Sequence, residues 1–172
     1  MSAREHRCYT DGSCKPGEGA PGGWGFVIEP PSGPPVEGWG SEVGTLAKVM
    51  EYRAVAEAVQ ALPDGARAVV FSDAQSLVEN LARKLADWTA SDFRNVDPLV
   101  VADVRRIAAA IADRGLSLRF QWVRGHAQNA GNARADALAA QGAREAKAAI
   151  ASRGGPDAPR RRPRAASPRE RR

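Results

Sequence analysis

The feature that most constrains the fold is a change of hydrophobic period early in the chain. The first part holds three short stretches with strand-like patterns, "EHRCYTD", "GGWGFVIE" and "VEGWGSEV". Short turns rich in glycine and proline, such as "PPSGPP", separate these stretches. Strands that lie this close in sequence and are joined by short turns predict an antiparallel meander.

After residue 44 the pattern alternates between helical spacing and short β-branched runs. Four segments are helical and two are strands: "TLAKVMEYRAVAEAVQALPDG", "QSLVENLARKLADW", "DPLVVADVRRIAAAIADRG" and "NARADALAAQGAREAKAAI", then "ARAVVFSD" and "LSLRFQWV". We expect Asp97 and Pro98 to begin the third helix as N-cap and first residue, and Gly115 to end it. The order β-β-β-α-β-α-α-β-α predicts a mixed α/β (α+β) protein. Its five-stranded sheet should have three antiparallel strands, then two parallel strands, with helices on its faces.

The basic character of the chain is concentrated at its C-terminal end. Residues 153–172 hold eight of the 25 Lys and Arg residues and two of the 20 Asp and Glu residues, so residues 1–152 are nearly neutral. This tail lacks large apolar side chains, and we predict that it is disordered. We therefore divide the chain into a domain, residues 1–152, and a tail, residues 153–172. The tail either binds polyanions or serves only to improve solubility.

Cysteine content and hydropathy indicate the compartment. The chain has two cysteines, Cys8 and Cys14, and one disulfide would do little to stabilise a domain of this size. Two thiols fit a reducing compartment better. No run of about 18 apolar residues predicts a membrane span, and the N-terminus lacks the apolar core of a secretion signal. These features predict a cytoplasmic protein with no membrane partner.

Four acidic residues stand where the predicted fold gives acids a special position. Asp11 and Asp73 each follow a strand, Glu51 lies on the apolar face of the first helix, and Asp136 lies near the start of the last. Each of the three aspartates taken alone is explained by a turn, a cap or the helix dipole. If the first and fourth strands are neighbours, however, Asp11, Glu51 and Asp73 converge at one edge of the sheet. Carboxylates so close repel one another, and a hard divalent cation is their natural ligand.

These residues lie in four blocks that resemble type 1 ribonuclease H. The blocks are "YTDGSC", "MEY", "FSDAQSLV" and "WVRGHAQNAGNARADALA", and the resemblance runs from about Glu5 to Ala148. It implies a metal-dependent endonuclease that cuts the RNA strand of RNA–DNA hybrids and leaves 5′-phosphate and 3′-hydroxyl ends. It also implies a monomer with the ribonuclease H-like sheet.

The resemblance also implies the catalytic residues. Asp11, Glu51, Asp73 and Asp136 match the four carboxylates that hold two Mg²⁺ ions, with Mn²⁺ as an alternative. His126 matches a histidine that moves a proton or helps the product leave. The other interpretation of His126 is an ordinary surface histidine in a loop.

The substrate contacts implied by the resemblance are less complete. Candidate substrate-binding residues are Ser13, Cys14, Lys48, Gln75, Trp88 and Asn132. Trp88, with Phe93, either lines a channel for the DNA strand or packs the end of a helix. Members of the family usually carry asparagines in the glycine-rich loop and just before the helix glutamate, and this chain does not. Lys48 there would contact a phosphate instead of a sugar, which loosens selectivity.

Three alternatives follow from these departures. The enzyme acts on double-stranded RNA as well as on hybrids; the chain is a hybrid-binding module with little activity; or the fold serves junction resolution or strand transfer. The lack of a basic insertion between Asp73 and Asp97 leads us to expect that the arginine-rich tail contacts nucleic acid.

Overall fold

The computed structural model describes residues 4–125 and 129–153, and it forms one mixed sheet with helices on both faces. Five strands and four helices follow in the predicted order: β1 (His6–Cys14), β2 (Gly22–Glu29), β3 (Val36–Glu42), α1 (Ala47–Ala61), β4 (Arg67–Ser72), α2 (Gln75–Ala90), α3 (Val101–Arg114), β5 (Ser117–Trp122) and α4 (Ala130–Arg153). Within these residues no helix is long and apolar enough to cross a membrane.

The strand order of the sheet is β3-β2-β1-β4-β5. β1 and β3 pair antiparallel with β2, whereas β4 pairs parallel with both β1 and β5. The predicted fold class, three antiparallel strands followed by two parallel ones, is therefore confirmed. Since β1 and β4 are neighbours, Asp11 in β1 lies next to the end of β4, which Asp73 directly follows.

The two faces of the sheet are packed differently. α1, α2 and α3 cover one face over a large apolar core that includes Val55, Leu81 and Ile107. On the other face, α4 lies over the stacked rings of Tyr9 and Phe71, whose centroids are 4.9 Å apart. The helical periodicity of the sequence thus produced two helical layers around a central β1.

Glycines bring α4 onto the sheet with almost no side chain between them. A Cβ atom on Gly23 would lie 2.3 Å from the carbonyl oxygen of Ala139, and one on Gly25 would lie 2.7 Å from that of Ala135. Gly142 on the helix approaches the carbonyl oxygen of Gly40 in the same way. The backbones of α4 and β2 are therefore in direct contact.

The observed helix boundaries differ from the predicted ones at the starts of α3 and α4. α3 begins at Val101 rather than at Pro98, because residues 98–100 form a turn that Asp97 stabilises. Asp97 accepts a hydrogen bond from the amide of Leu99 at 2.9 Å, so it caps this turn and not the helix. α4 begins two residues before the predicted Asn132, at Ala130. Gly115 ends α3 in the left-handed conformation, with φ of 62°.

Two predictions fall outside the described residues. His126 lies between the described ranges, and residues 154–172 of the proposed tail follow the last described residue. The helix α4 reaches Arg153, the first residue of that tail.

Candidate active site

The four acids predicted to act together come from four different elements. Asp11 lies in β1 and is 8% exposed. Glu51 lies in the second turn of α1, Asp73 directly follows β4, and Asp136 lies in the second turn of α4. The side chain of Asp136 hydrogen-bonds to that of Asp11, and the charge of Asp73 acts on both Asp11 and Glu51. The structure thus brings all four acids into one interacting group, the carboxylate cluster.

Gly12 explains how α1 reaches this cluster. A Cβ atom on Gly12 would lie 2.3 Å from the amide nitrogen of Glu51 and 2.5 Å from the carbonyl carbon of Met50. The absence of a side chain therefore lets the start of α1 rest directly on β1, beside Asp11. The space beside Gly12 is thus filled by the backbone of α1.

Burial and repulsion raise the pKa values within the cluster. Burial, then the charge of Asp73 and the hydrogen bond to Asp136, raise the pKa of Asp11 to about 8. The backbone amide of Gly12, 2.9 Å from Asp11 Oδ1, opposes this shift. Burial and the charge of Asp73 also raise the pKa of Glu51. Such a group becomes fully ionised at neutral pH only if a cation offsets its charge.

The donor set suits Mg²⁺ or Mn²⁺, because it consists of carboxylate oxygens alone. Within residues 4–125 and 129–153, however, no three His, Cys, Asp or Glu side chains are already positioned to hold an ion together. The four acids therefore supply the right ligand atoms for a divalent cation and lie near one another. Their side chains are not arranged as a complete coordination shell.

Trp122 and Gly125 support Asp73 from the end of β5. The indole Nε1 of Trp122 donates to the carbonyl oxygen of Asp73 at 3.1 Å. A Cβ atom on Gly125 would lie 2.9 Å from Asp73 Oδ2, so the loop that leads to His126 starts against this carboxylate. Sequence reasoning did not single out Trp122, although it belongs to the "WVRGHA" block. The strand alternation alone does not show that its ring turns toward Asp73.

The candidates Ser13 and Cys14 lie at the end of β1, two and three residues after Asp11, and both are half-buried. The thiol of Cys14 lies 3.4 Å from the carbonyl oxygen of Thr45, which ties it to the segment before α1. Burial raises the pKa of the Cys14 thiol, so the thiol form is favoured. Neither Cys14 nor Cys8 is in a disulfide.

The other substrate candidates lie farther apart. Gln75 begins α2, and its side-chain amide donates to Glu79 at 3.1 Å. Asn132 is 4% exposed, and among the described residues its Oδ1 has no hydrogen-bond partner. Trp88 packs against the large core, as does Phe93, which supports the packing interpretation of both. Lys48 forms an ion pair with Asp97.

Comparisons with known proteins identify the family of the chain. The family model described as RNase H matches residues 3–144. A ribonuclease H of Methylorubrum extorquens (strain PA1) is 40% identical over 140 residues, which are 80% of this chain and 60% of that protein. The chain thus spans less than two thirds of the length of that relative.

Solved structures of similar fold point the same way. LC9-RNase H1, described as a type 1 RNase H with the type 2 active-site motif, aligns with a TM-score of 0.69 and 26% identity over 85% of this chain and 75% of that one. LC11-RNase H1, solved in complex with an RNA/DNA hybrid, aligns with a TM-score of 0.63 and 24% identity over 83% of this chain and 99% of that one. The second likeness concerns the fold alone. Together with the matched family model, these findings confirm the resemblance that the motifs predicted: the chain belongs to the ribonuclease H family.

Proposed function

We propose that this chain is a divalent-metal-dependent endonuclease that hydrolyses the RNA strand of RNA–DNA hybrids, leaving 5′-phosphate and 3′-hydroxyl ends. The observation that carries the proposal is the carboxylate cluster, in which burial and repulsion raise the pKa of Asp11 to about 8. A protein gains nothing in stability from gathering acids in this way, so the cluster indicates a site for cations. Family membership and the hybrid-bound relative support the substrate.

Asp11, Glu51, Asp73 and Asp136 would hold two Mg²⁺ ions, with Mn²⁺ as an alternative. When bound, the ions supply an activated water and neutralise the charge that develops on the phosphodiester. The residues of the chain prepare this chemistry. Trp122 fixes the backbone at Asp73, and Gly12 lets α1 carry Glu51 to the cluster. His126 would move a proton or help the product leave.

Recognition of the RNA strand would use small polar groups beside the cluster. Ser13 and Cys14, with the neighbouring backbone amides, lie two and three residues beyond Asp11, and Gln75 and Asn132 would contact the strand from α2 and α4. Reading 2′-hydroxyls across a minor groove needs such groups. The arginine-rich tail would add contacts to the phosphates.

A second substrate, double-stranded RNA, is favoured by one observation. The Lys48 side chain is half exposed near the start of α1, where a sugar-reading asparagine is usual in the family. A lysine contacts phosphates, which both duplexes present equally. We further propose that the chain acts as a monomer in the cytoplasm, where both cysteines would stay reduced.

The experiment compares cleavage of end-labelled RNA–DNA hybrid, double-stranded RNA and double-stranded DNA, with Mg²⁺, with Mn²⁺ and with EDTA. We expect cleavage of the RNA strand of the hybrid in either metal and none in EDTA. Asp73→Asn should abolish cleavage and retain hybrid binding. Binding without cleavage by the unmutated chain in both metals would replace the proposal by a hybrid-binding module.

A further inference from the structure

The ion pair between Lys48 and Asp97 joins the start of α1 to the connection between α2 and α3. Lys48 Nζ lies 2.7 Å from Asp97 Oδ2, and the two side chains are 50% and 35% exposed. Lys48 precedes Glu51 by three residues in α1. Since residues at this spacing are neighbours on one helix face, Lys48 and Glu51 project from the same part of α1.

Asp97 is held in place independently of Lys48. Its Oδ1 accepts the amide of Leu99, and its carbonyl oxygen accepts the amides of Val100 and Val101. Lys48, by contrast, has a long flexible side chain and lies near the start of α1, where the helix dipole disfavours a cation. The pKa of Asp97 is accordingly lowered, first by its hydrogen bond from Lys48. The carboxylate is therefore the fixed member of the pair and the ammonium is the movable one.

A nucleic-acid phosphate that reached Lys48 would compete with Asp97 for the same cation. A lysine contact to a phosphate adds affinity for any duplex and carries no information about the sugar. A fixed carboxylate that pairs with the lysine reduces the affinity gained from this phosphate contact. The contacts that read the RNA strand are left unchanged. This argument rests on the proposed function, because it assumes that a duplex lies across the cluster.

We propose that Asp97 is a specificity-determining residue, which partly neutralises Lys48 and so keeps the enzyme from binding duplexes through phosphate contacts alone. The ion pair would thereby restore selectivity for the hybrid that an unpaired lysine at this position would reduce. Asp97 touches neither the substrate nor the metal ions, and its effect passes entirely through Lys48.

The test is a double-mutant cycle on the full chain with Asp97→Asn and Lys48→Ala. The turn does not need an anion at this position, because the amide oxygen that Asp97→Asn introduces still accepts the amide of Leu99. We expect Asp97→Asn to lower KM for the hybrid about three- to tenfold. It should also steepen the slope of log affinity against log salt concentration by about one. The preference for hybrid over double-stranded DNA should become smaller. On the Lys48→Ala background, Asp97→Asn should change none of these quantities.

Asp92→Asn is the matched control, because it removes one negative charge from the same connection between α2 and α3. Asp92 pairs with Arg105 at 3.2 Å and is 84% exposed. An equal effect of Asp92→Asn, or an effect of Asp97→Asn that survives in the absence of Lys48, would show a change of net charge only. An unchanged KM and salt dependence in Asp97→Asn would also overturn the inference.

The same cycle is run as a binding measurement, by fluorescence anisotropy of hybrid and double-stranded DNA in EDTA. This arm tests Asp97 even if the unmutated chain cuts nothing, an outcome that would overturn the proposed function alone. A normal rate of hybrid cleavage with a silent Asp97→Asn would overturn the inference alone.

Discussion

Two aspartates are buried in the described part of this molecule, and their surroundings are opposite. Asp103 lies in α3 and is 2% exposed. Its two carboxylate oxygens accept hydrogen bonds from Arg53 Nε at 2.9 and 3.0 Å, and one of them also accepts a hydrogen bond from Arg106 at 3.2 Å. Asp11, 8% exposed in β1, faces the acids Asp73 and Asp136 and the backbone amide of Gly12. The first carboxylate is satisfied by the protein itself, whereas the second requires protons or a cation from outside.

The comparison separates an acid that the protein pairs internally from one that we propose to be functional, without reference to any relative. Buried charges are normally paired, because an unpaired charge is costly to bury. Asp103 follows this rule and joins α3 to α1. Asp11 departs from it at the end of the sheet where Asp73 and Glu51 also lie. The same substitution at the two positions should therefore have opposite effects on stability and on activity.

The largest effect is expected on activity, from Asp11→Asn. The amide keeps the shape of the side chain but binds a divalent cation far more weakly, so the cleavage rate should fall about a thousandfold or more. The free energy of unfolding in EDTA should stay about equal below pH 8, where Asp11 is protonated, and rise above it, where the substitution removes a repelling charge. Rates on labelled hybrid and urea denaturation measure the two quantities. Full activity in Asp11→Asn would remove Asp11 from the metal site.

Asp103→Asn should have the second largest effect, and here on stability. It removes the buried carboxylate that Arg53 and Arg106 share, which should lower the free energy of unfolding by about 3 kcal/mol. We place the loss at the low end for buried pairs, because the two arginines are 28% and 38% exposed. Cleavage per folded molecule should be unchanged. A cleavage rate that falls while stability holds would contradict the distinction between the two acids.

The pH dependence of stability in EDTA should reveal the protonation of Asp11. Its pKa is raised from 3.8 to about 8 in the folded chain. The stability that the protonated form contributes is therefore full below pH 4 and is lost as pH rises through 8. We expect the free energy of unfolding to fall by about 4 kcal/mol between pH 5 and pH 9, because about one proton is lost over the three pH units below 8.

The control for this pH dependence is Asp11→Asn, in which the slope should flatten, while Asp103→Asn should keep it. Addition of Mg²⁺ should reverse the loss at high pH in the unmutated chain, because the ion replaces the proton. The same slope in Asp11→Asn and in the unmutated chain would assign the titration to another group.

Glu57→Gln should have the smallest effect. Glu57 is an outer member of the network formed by Asp103, Arg53 and Arg106. Glu57 accepts Arg106 at 3.0 Å and is 29% exposed in its side chain. Removing its charge should lower the free energy of unfolding by less than about 1 kcal/mol, with an unchanged cleavage rate. A loss as large as that of Asp103→Asn would mean that the network acts as one unit.

The sequence predicted the order of the elements well, because each element has a strong period of its own. The alternation of "EHRCYTD" marks a strand, although Cys8 and Tyr9 on its two faces are both buried. The apolar stripe that includes Val55 and Leu62 marks the buried side of α1. Asp11 and Asp73 each lie two residues beyond the last pair of β1 and β4, Tyr9 and Phe71, as neighbouring strands imply. The residues alone therefore predicted a group of Asp11, Glu51 and Asp73, and the family resemblance added Asp136.

Contacts between residues distant in sequence could not be predicted in this way. Asp97 has the local signature of a helix N-cap, yet it caps a turn and pairs with Lys48, which lies 49 residues away. The hydrogen bond from Trp122 to Asp73 spans a similar distance. The role of Gly12 depends on how closely α1 approaches β1, which no period within either segment encodes.

The direct contact of α4 with β2 has a mechanical consequence for catalysis. Where side chains separate two elements, a change of rotamer absorbs a small displacement, but a backbone resting on a backbone has no such freedom. The distance from Asp136 on α4 to Asp11 on β1 is thus set by a rigid spacer made of Gly23 and Gly25. An added methyl group on either glycine would push α4 away from the sheet and shift Asp136 relative to Asp11, so we expect it to change the metal requirement of the proposed site as well as the stability.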